Sequence, residues 1–161
     1  MTDIVHATRE HWSQVREIRL RALSADPAAF GQSWDTESAY DESRWIDRVE
    51  SVAWFLALDD GSPVGVVASR HESDAPESER ELQAMWVQSD FRRRGLAQEL
   101  AEAVFEWARG DGASSVALYI HPGNQSAITL YEGLGFSDTG TRWKVDEDDP
   151  TSDWIKMARA L

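Results

Sequence analysis

The sequence predicts a single α+β domain of the mixed α/β type, and two features of its patterning support that prediction. Some longer segments repeat apolar residues at helical spacing, whereas several short apolar runs are bounded by turn residues, as strands are. The two kinds of segment follow the order β-α-α-β-β-β-α-β-α-β-β, with no internal repeat and no linker. A length of 161 residues, of which 42% are hydrophobic, is enough for one buried core over residues 1–161.

The first third of the chain predicts one strand and two helices. Residues 3–7 are partly β-branched and predict a strand. A helix over residues 9–24 follows from apolar positions at helical spacing, which are Trp12, Val15, Ile18 and Ala22. Residues 26–31 predict a short helical turn that ends at a glycine, and residues 42–49 predict the second helix.

The rest of the chain alternates between the two patterns. Apolar runs at residues 52–58 and 63–69 flank a cluster of turn residues and predict a β-hairpin. The remaining predicted elements are a strand at residues 81–87, a helix over 94–109, a strand at 115–120, a helix over 124–133, a strand region from Phe136 and a closing strand at 154–158.

Composition argues against several classes of function. The chain has 29 acidic and 16 basic residues, a net charge of −13, whereas nucleic-acid binding depends on basic residues that neutralise phosphates. No apolar stretch reaches the ~20 residues of a membrane-spanning helix, and the first residues do not form a secretory signal. The lack of cysteine excludes disulfides and thiolate metal ligands. We therefore expect a cytoplasmic protein that binds neither nucleic acid nor membrane.

The turn from Arg92 to Ala97 lies between a predicted strand and a predicted helix. Gly95 allows close approach of the backbone to a ligand, and the first helical turn has unpaired amides at the positive end of the helix dipole. Arg92, Arg93 and Arg94 add charge that suits a pyrophosphate. The segment predicts an anion site, although an ordinary exposed turn could contain the same residues. No Rossmann or P-loop glycine motif is present, so a dinucleotide dehydrogenase or nucleotide hydrolase is poorly supported.

A second informative segment runs from Asn124 to Phe136. Asn124 can cap a helix, and the apolar positions that follow at helical spacing are Ala127, Leu130, Tyr131 and Leu134. An ordinary core position is the alternative explanation for Tyr131, because tyrosine often packs with its hydroxyl at the edge of a core.

Together, the two segments resemble the GNAT superfamily of N-acetyltransferases. Arg92, Gly95 and Ala97 match the family's Gln/Arg-x-x-Gly-x-Gly/Ala loop. The family's N-x-x-A-x-x-L-Y-x-x-x-G-F helix is matched in order by Asn124, Ala127, Leu130, Tyr131, Gly135 and Phe136. The resemblance is specific over residues 81–136 and implies a GNAT-type domain with a central twisted mixed sheet flanked by helices.

The resemblance also implies a reaction. Acetyl-CoA would donate its acetyl group, by direct attack through a tetrahedral intermediate, to a primary amine of a small molecule or peptide, without a metal. The loop, including Leu96, would bind the pyrophosphate through backbone amides. The backbone at Met85 and Val87 would pair with the pantetheine arm, and a strand amide there would stabilise the oxyanion. The predicted CoA site is completed by Asn124, Ser126 and Tyr131.

Proton transfer in the predicted mechanism needs a general acid and a general base. Tyr131 is the family's usual general acid for the leaving thiolate. A tyrosine pKa of about 10 against a thiol pKa of about 8.5 makes complete transfer uphill by roughly 2 kcal/mol, which favours a hydrogen bond or a relay. The general base is Glu81, His121 or a relayed water, and each of the two side chains could equally be an ordinary surface residue.

Two function classes therefore remain. One is an active N-acetyltransferase, which Tyr131 favours, and the other is a non-catalytic acyl-CoA-binding sensor or assembly domain. The acceptor is unknown, although Phe30, Trp34 and Tyr40 could form an aromatic wall for an amine; ordinary packing is the favoured explanation for them. A possible homodimer would use apolar residues near the C-terminus, namely Trp143, Trp154, Ile155 and Met157.

Overall fold

The computed structural model describes all 161 residues and confirms a mixed β-sheet of seven strands with α-helices. The strands are β1 (Thr2–His6), β2 (Ala53–Asp59), β3 (Ser62–Arg70), β4 (Glu79–Val87), β5 (Ser115–Ile120), β6 (Ser137–Trp143) and β7 (Trp154–Ala160). The helices are α1 (Trp12–Ala25), α2 (Trp34–Ser38), α3 (Glu42–Ser51), α4 (Leu96–Gly110) and α5 (Gln125–Gly133). None of these helices has the length and apolar character needed to span a membrane.

The chain divides into two compact units. Unit 1 comprises Met1–Arg70 and Leu82–Trp107, and unit 2 comprises His71–Glu81 and Ala108–Leu161. Strand β4 is divided between them, with Glu79–Glu81 in unit 2 and Leu82–Val87 in unit 1. A single domain over residues 1–161 stays a prediction.

The predicted hairpin in unit 1 is formed by β2 and β3. Asp59 pairs with Ser62, so that only Asp60 and Gly61 form the loop, and both have positive φ angles of 50° and 83°. An Asp-Gly pair adopts this left-handed conformation readily, which is why it is common in two-residue hairpin loops. Strand β1 pairs antiparallel with β2 on the far side of the hairpin.

Two features of the helices of unit 1 were not predicted. Residues Arg9–His11 form a 3₁₀ turn, so α1 begins at Trp12 rather than at residue 9. Helix α2 was not predicted, because its sequence has no apolar periodicity. Its start is capped by Ser33, whose hydroxyl oxygen accepts from the Thr36 amide at 3.2 Å.

A buried ion cluster links three of these helices. Glu37 of α2 is only 1% exposed. Its carboxylate accepts from Nε and Nη2 of Arg19 in α1, both at 3.0 Å, and from Nη1 of Arg48 in α3 at 2.7 Å. Charge-assisted bonds of this kind compensate for the loss of water around buried charges. The cluster therefore determines where α2 lies within unit 1.

Unit 2 contains the only parallel strand pair that the register shows. The first residues of β4 run parallel to β5, with Glu79 opposite Ser115 and Glu81 opposite Ala117. Strand β7 lies antiparallel between β5 and β6. The alternation of side chains along β7 places Trp154 and Lys156 on one face and Ile155 and Met157 on the other.

Substituting Glu37 with glutamine tests the ion cluster. The amide keeps the shape of the side chain but leaves the buried Arg19 and the half-buried Arg48 without their counter-charge, so we expect the free energy of unfolding to fall by about 3 kcal/mol. Glu106→Gln, at an exposed position of α4, is the control and should change it by less than about 0.5 kcal/mol. Urea denaturation measures the free energy of unfolding of both variants. Equal midpoints for the two variants would contradict this account.

Acid pH gives a second measurement on the same cluster. Burial opposes ionisation of Glu37, but hydrogen bonds and charge from Arg19 and Arg48 outweigh it and hold its pKa below the ordinary 4.5. Because the folded-state pKa is lowered, the stabilisation is complete above the unfolded pKa and is lost as the pH falls through the folded one. The stability gap between wild type and Glu37→Gln should stay constant above pH ~5.5 and shrink below pH ~4.5.

Candidate active site

The end of β4 in unit 1 has an irregular backbone. Ala84 has a φ of +58°, a left-handed conformation that is unusual for a residue other than glycine. Burial alternates along β4 as far as Gln83, but then Ala84 and Met85 are both half-buried and Trp86 and Val87 are both buried. Regular alternation would place Glu81, Gln83, Met85 and Val87 on one face of the strand, but it ends at Gln83. Strained residues of this kind cluster at functional sites, so the neighbouring Met85 and Val87 are candidates for a functional role.

The predicted anion loop leads from this strand into α4. Arg93 and Gly95 have φ angles of +63° and +83°, so the chain turns sharply before the helix begins at Leu96. The Glu99 amide donates to the Gly95 carbonyl at 3.0 Å, and the amides of residues 96–98 therefore precede the first hydrogen bond of the helix. No atom lies within 4 Å of the position that a Cβ on Gly95 would occupy. The loop thus offers unpaired donors next to open space, as an anion site requires.

The three loop arginines have different environments. Arg92 donates from Nε to the Val87 carbonyl at 2.8 Å and from Nη2 to Asp26 at 3.2 Å, while the Trp86 indole N–H donates to the same Asp26 carboxylate at 2.6 Å. Arg92 therefore braces the loop. Arg94 lies over the Phe91 ring at 4.8 Å, and both Arg93 and Arg94 are exposed. The charge available to a bound anion comes from Arg93 and Arg94.

The predicted tyrosine lies in α5 of unit 2. Asn124 caps this helix by accepting from the Ala127 amide at 3.3 Å, as predicted, and Ser126 is exposed in its first turn. Tyr131 is 6% exposed, and its ring meets Phe136 edge-on at 5.5 Å. Burial raises the pKa of the Tyr131 phenol well above its usual range, because the phenolate would lose its hydration. The side chain therefore holds its proton throughout the neutral range.

The two candidate bases differ in what surrounds them. Glu81 is half-buried on β4, and its charge helps to raise the pKa of Lys156. His121 is exposed, and its Nδ1 accepts from the Gly123 amide at 2.9 Å. That bond places the proton of a neutral imidazole on Nε2, so neither ring nitrogen has a lone pair left to take a proton from an amine. This contact argues against His121 as the general base.

The aromatic residues proposed as an acceptor wall are largely used in packing within unit 1. The guanidinium carbon of Arg19 lies 4.9 Å from the Phe30 ring centre, and that of Arg44 lies 4.5 Å from the ring centre of Tyr40. Trp34 is 46% exposed and lines a hollow of about 500 Å³ against Leu20 of α1. Packing thus accounts for Phe30 and Tyr40, as the sequence favoured.

The predicted site residues fall into two groups. Unit 1 brings together the end of β4, with Met85 and Val87, and the loop residues 92–97. Unit 2 contains Glu81, His121 and the α5 residues Asn124, Ser126 and Tyr131. Sequence reasoning missed the left-handed Ala84 and the bracing role of Asp26. An alanine in a strand gives no signal of a positive φ.

Comparison with known proteins assigns the sequence to a family. The model of the GNAT acetyltransferase family matches residues 12–136, which include the loop and the whole of α5 with Tyr131. The chain belongs to the GNAT acetyltransferase family. A curated relative, N-acetyltransferase family 8 member 2 of Rattus norvegicus, is 34% identical over 131 residues, covering 80% of this chain and 52% of the relative. The chain spans about half the length of the curated relatives that it matches.

Solved structures show the same fold. A GNAT-family acetyltransferase from Streptococcus pneumoniae superposes with a TM-score of 0.82 at 18% identity, covering 100% of both chains. The yncA protein of Salmonella typhimurium, solved with acetyl-CoA, superposes with a TM-score of 0.80 at 18% identity, covering 100% of this chain and 94% of that one. At this identity the likeness establishes the fold alone.

The hydrogen bond at His121 can be tested by NMR. Nitrogen-15 spectra of the neutral imidazole should show a protonated Nε2 and an unprotonated Nδ1, because the Gly123 amide occupies Nδ1. His6 is exposed and serves as an internal reference for a solvent-facing histidine. A predominant Nδ1–H tautomer at His121 would return this residue to the candidate bases.

Proposed function

We propose that this GNAT protein binds acetyl-CoA and transfers its acetyl group to a primary amine of a small molecule or peptide. The observation that supports the donor best is the loop before α4, where residues Arg93 and Gly95 turn the backbone and leave helix amides next to open space. The relatives named as N-acetyltransferases support an amine as the acceptor.

The loop would hold the CoA pyrophosphate mainly through its backbone. The amides of residues 96–98 are available at the positive end of the α4 dipole, and Gly95 leaves room for a phosphate to approach. Arg93 and Arg94 would add long-range attraction, whereas Arg92 is already bonded to Val87 and Asp26. The loop would therefore favour an anion even though Arg92 does not contact it directly.

The strand backbone would hold the pantetheine arm as an added strand would be held. The Val87 carbonyl already accepts from Arg92, so this pairing falls mainly to Met85. An amide of the same segment, next to the left-handed Ala84, would donate to the oxygen that becomes negative as the amine attacks. Bound acetyl-CoA supplies the acetyl thioester on which the reaction depends.

Tyr131 would assist departure of the thiolate as a hydrogen-bond donor. Its ordinary pKa already exceeds that of a thiol, and burial raises it further, so complete proton transfer is more unfavourable than the sequence suggested. A neutral phenol can still donate strongly to a developing thiolate. Glu81, or a water that it holds, is the base that we propose for the attacking amine.

Binding of acetyl-CoA without turnover is the second candidate function. Thiol release from acetyl-CoA, measured against a panel of mono-, di- and peptide amines, separates the two. Release that depends on an amine supports the transferase. Tight CoA binding with no release from any acceptor would favour a sensor.

Tyr131→Phe tests the role of the phenol. Phenylalanine keeps the edge-on contact with Phe136, so the fold and the KM for acetyl-CoA should change little. We expect kcat to fall about 10- to 100-fold, because the donor to the leaving thiolate is lost. Tyr40→Phe is the matched control and should retain kcat. An unchanged kcat in Tyr131→Phe would remove the phenol from the mechanism.

A further inference from the structure

Asp26 lies where α1 ends, and its backbone is fixed on both sides. Its amide donates to the Ala22 carbonyl at 2.9 Å, and its carbonyl accepts from the Ala29 amide at 3.1 Å. The 3₁₀ turn Pro27–Ala29 follows directly. The carboxylate of Asp26 therefore extends from a well-defined backbone position.

One carboxylate oxygen of Asp26 connects this helix end to two other segments of unit 1. Oδ2 accepts from the indole N–H of Trp86 at 2.6 Å and from Nη2 of Arg92 at 3.2 Å. Trp86 is 7% exposed, whereas the side chains of Asp26 and Arg92 are 43% and 49% exposed. A surface carboxylate thus joins α1 to a buried ring of β4 and to the loop that follows β4.

These contacts form a closed ring, because Arg92 returns to the residue that follows Trp86. Nε of Arg92 donates to the Val87 carbonyl at 2.8 Å. The Gln88 amide, which belongs to the same peptide group as that carbonyl, donates to the Val64 carbonyl at 2.8 Å. Both polar atoms of this peptide group are therefore bonded, and its orientation is fixed.

The ring closes immediately after the strained part of β4. Ala84 has a φ of +58°, and the regular alternation of burial ends at Gln83. A strained backbone of this kind persists only where the surrounding structure determines it. On the C-terminal side the bonds of Trp86 and Val87 supply that constraint. Met85, whose backbone would pair with the pantetheine arm, lies between the strained residue and the bonded ones.

The ion pair between Asp26 and Arg92 is too exposed to contribute much to the stability of the whole fold. Its effect is local. A guanidinium group has a rigid, planar set of donors and can hold two acceptors at a set angle, which the single ammonium group of a lysine does not do. Loss of the Asp26 carboxylate should therefore change the end of β4 while the protein stays folded.

We propose that Asp26 is a positioning residue for acetyl transfer, which acts through Trp86 and Arg92 to hold the Met85 backbone in its reactive geometry. This inference rests on the proposed function. An amide that stabilises an oxyanion must be held close to its productive position, because small displacements lower the rate steeply. In this role Asp26 itself contacts neither the thioester nor the amine.

Three variants separate this role from a general effect of charge or stability. Asp26→Ala removes the shared acceptor. Arg92→Lys keeps the positive charge but loses the planar donors that join Asp26 to the strand. Glu50→Ala is the matched control, since it breaks an ion pair with Arg9 of unit 1 in which the carboxylate side chain is 51% exposed.

Backbone NMR of the free protein tests the positioning without any substrate. We expect Asp26→Ala and Arg92→Lys to shift or broaden the backbone signals of Ala84 and Met85, because the constraint on the C-terminal side of the strained residue is lost. Glu50→Ala should leave these signals unchanged. Ala84 and Met85 signals that are the same in Asp26→Ala as in the wild type would overturn the proposal.

Thiol release with two acetyl donors extends the test to the reaction. Acetyl-CoA and S-acetyl-N-acetylcysteamine share the thioester and the neighbouring amide, but only acetyl-CoA has a pyrophosphate. With an amine that the wild type acetylates, Asp26→Ala should lower kcat about tenfold for both donors, because the end of β4 would serve both. Loss of a negative charge beside the loop would instead lower the KM for acetyl-CoA and leave the short thioester unaffected.

The outcomes of the kinetic test are distinct. A change confined to acetyl-CoA, or a kcat for the short thioester equal to that of the wild type, would overturn the proposal and leave the proposed function intact. If the wild type transfers acetyl to no amine, the proposed function is contradicted. The NMR comparison would then still decide whether Asp26 holds the end of β4.

Discussion

The unpaired amides at the start of α4 are the constraint on which the proposed acetyl-CoA site depends. They exist because the chain turns through left-handed conformations at Arg93 and Gly95 and enters the helix without a side-chain partner for its first donors. The surrounding contacts keep that turn in place: Gln88 donates to the Val64 carbonyl, and Arg92 joins Val87 to Asp26. Arg92, the arginine nearest the strand, thus acts as a brace, and the proposed anion site would consist mainly of backbone amides.

Buried charge organises the helical part of unit 1 in a similar way. Glu37 is fixed by Arg19 and Arg48, and these arginines also pack over Phe30 and Tyr40. The rings of Phe30 and Tyr40 therefore pack within unit 1 and do not form an acceptor wall.

Much of this could be predicted from the sequence. Helical spacing located α4 and α5, the Asp60-Gly61 pair explained the hairpin, and Asn124 caps α5 as expected. Other features had no local signal. Helix α2 depends on an ion pair with residues distant in sequence, and the positive φ of Ala84 reflects its tertiary surroundings. Burial of Tyr131 and the hydrogen bond at His121 altered the acid and base roles expected for these residues. Both features arise from neighbours in the fold that sequence periodicity does not reveal. Cytoplasmic location and dimer formation stay predictions.

The most direct test of the central claim is the affinity for CoA of two glycine variants, measured by calorimetry. Gly95 and Gly112 have nearly the same φ, +83° and +86°, and in both cases an added Cβ meets no protein atom within 4 Å. Alanine at either position therefore introduces similar backbone strain, of about 1 kcal/mol. Only at Gly95 would the methyl group occupy the space that a pyrophosphate needs. We predict that Gly95→Ala weakens CoA binding at least about tenfold, while Gly112→Ala binds like the wild type. Equal dissociation constants for the two variants would contradict the assignment of the loop.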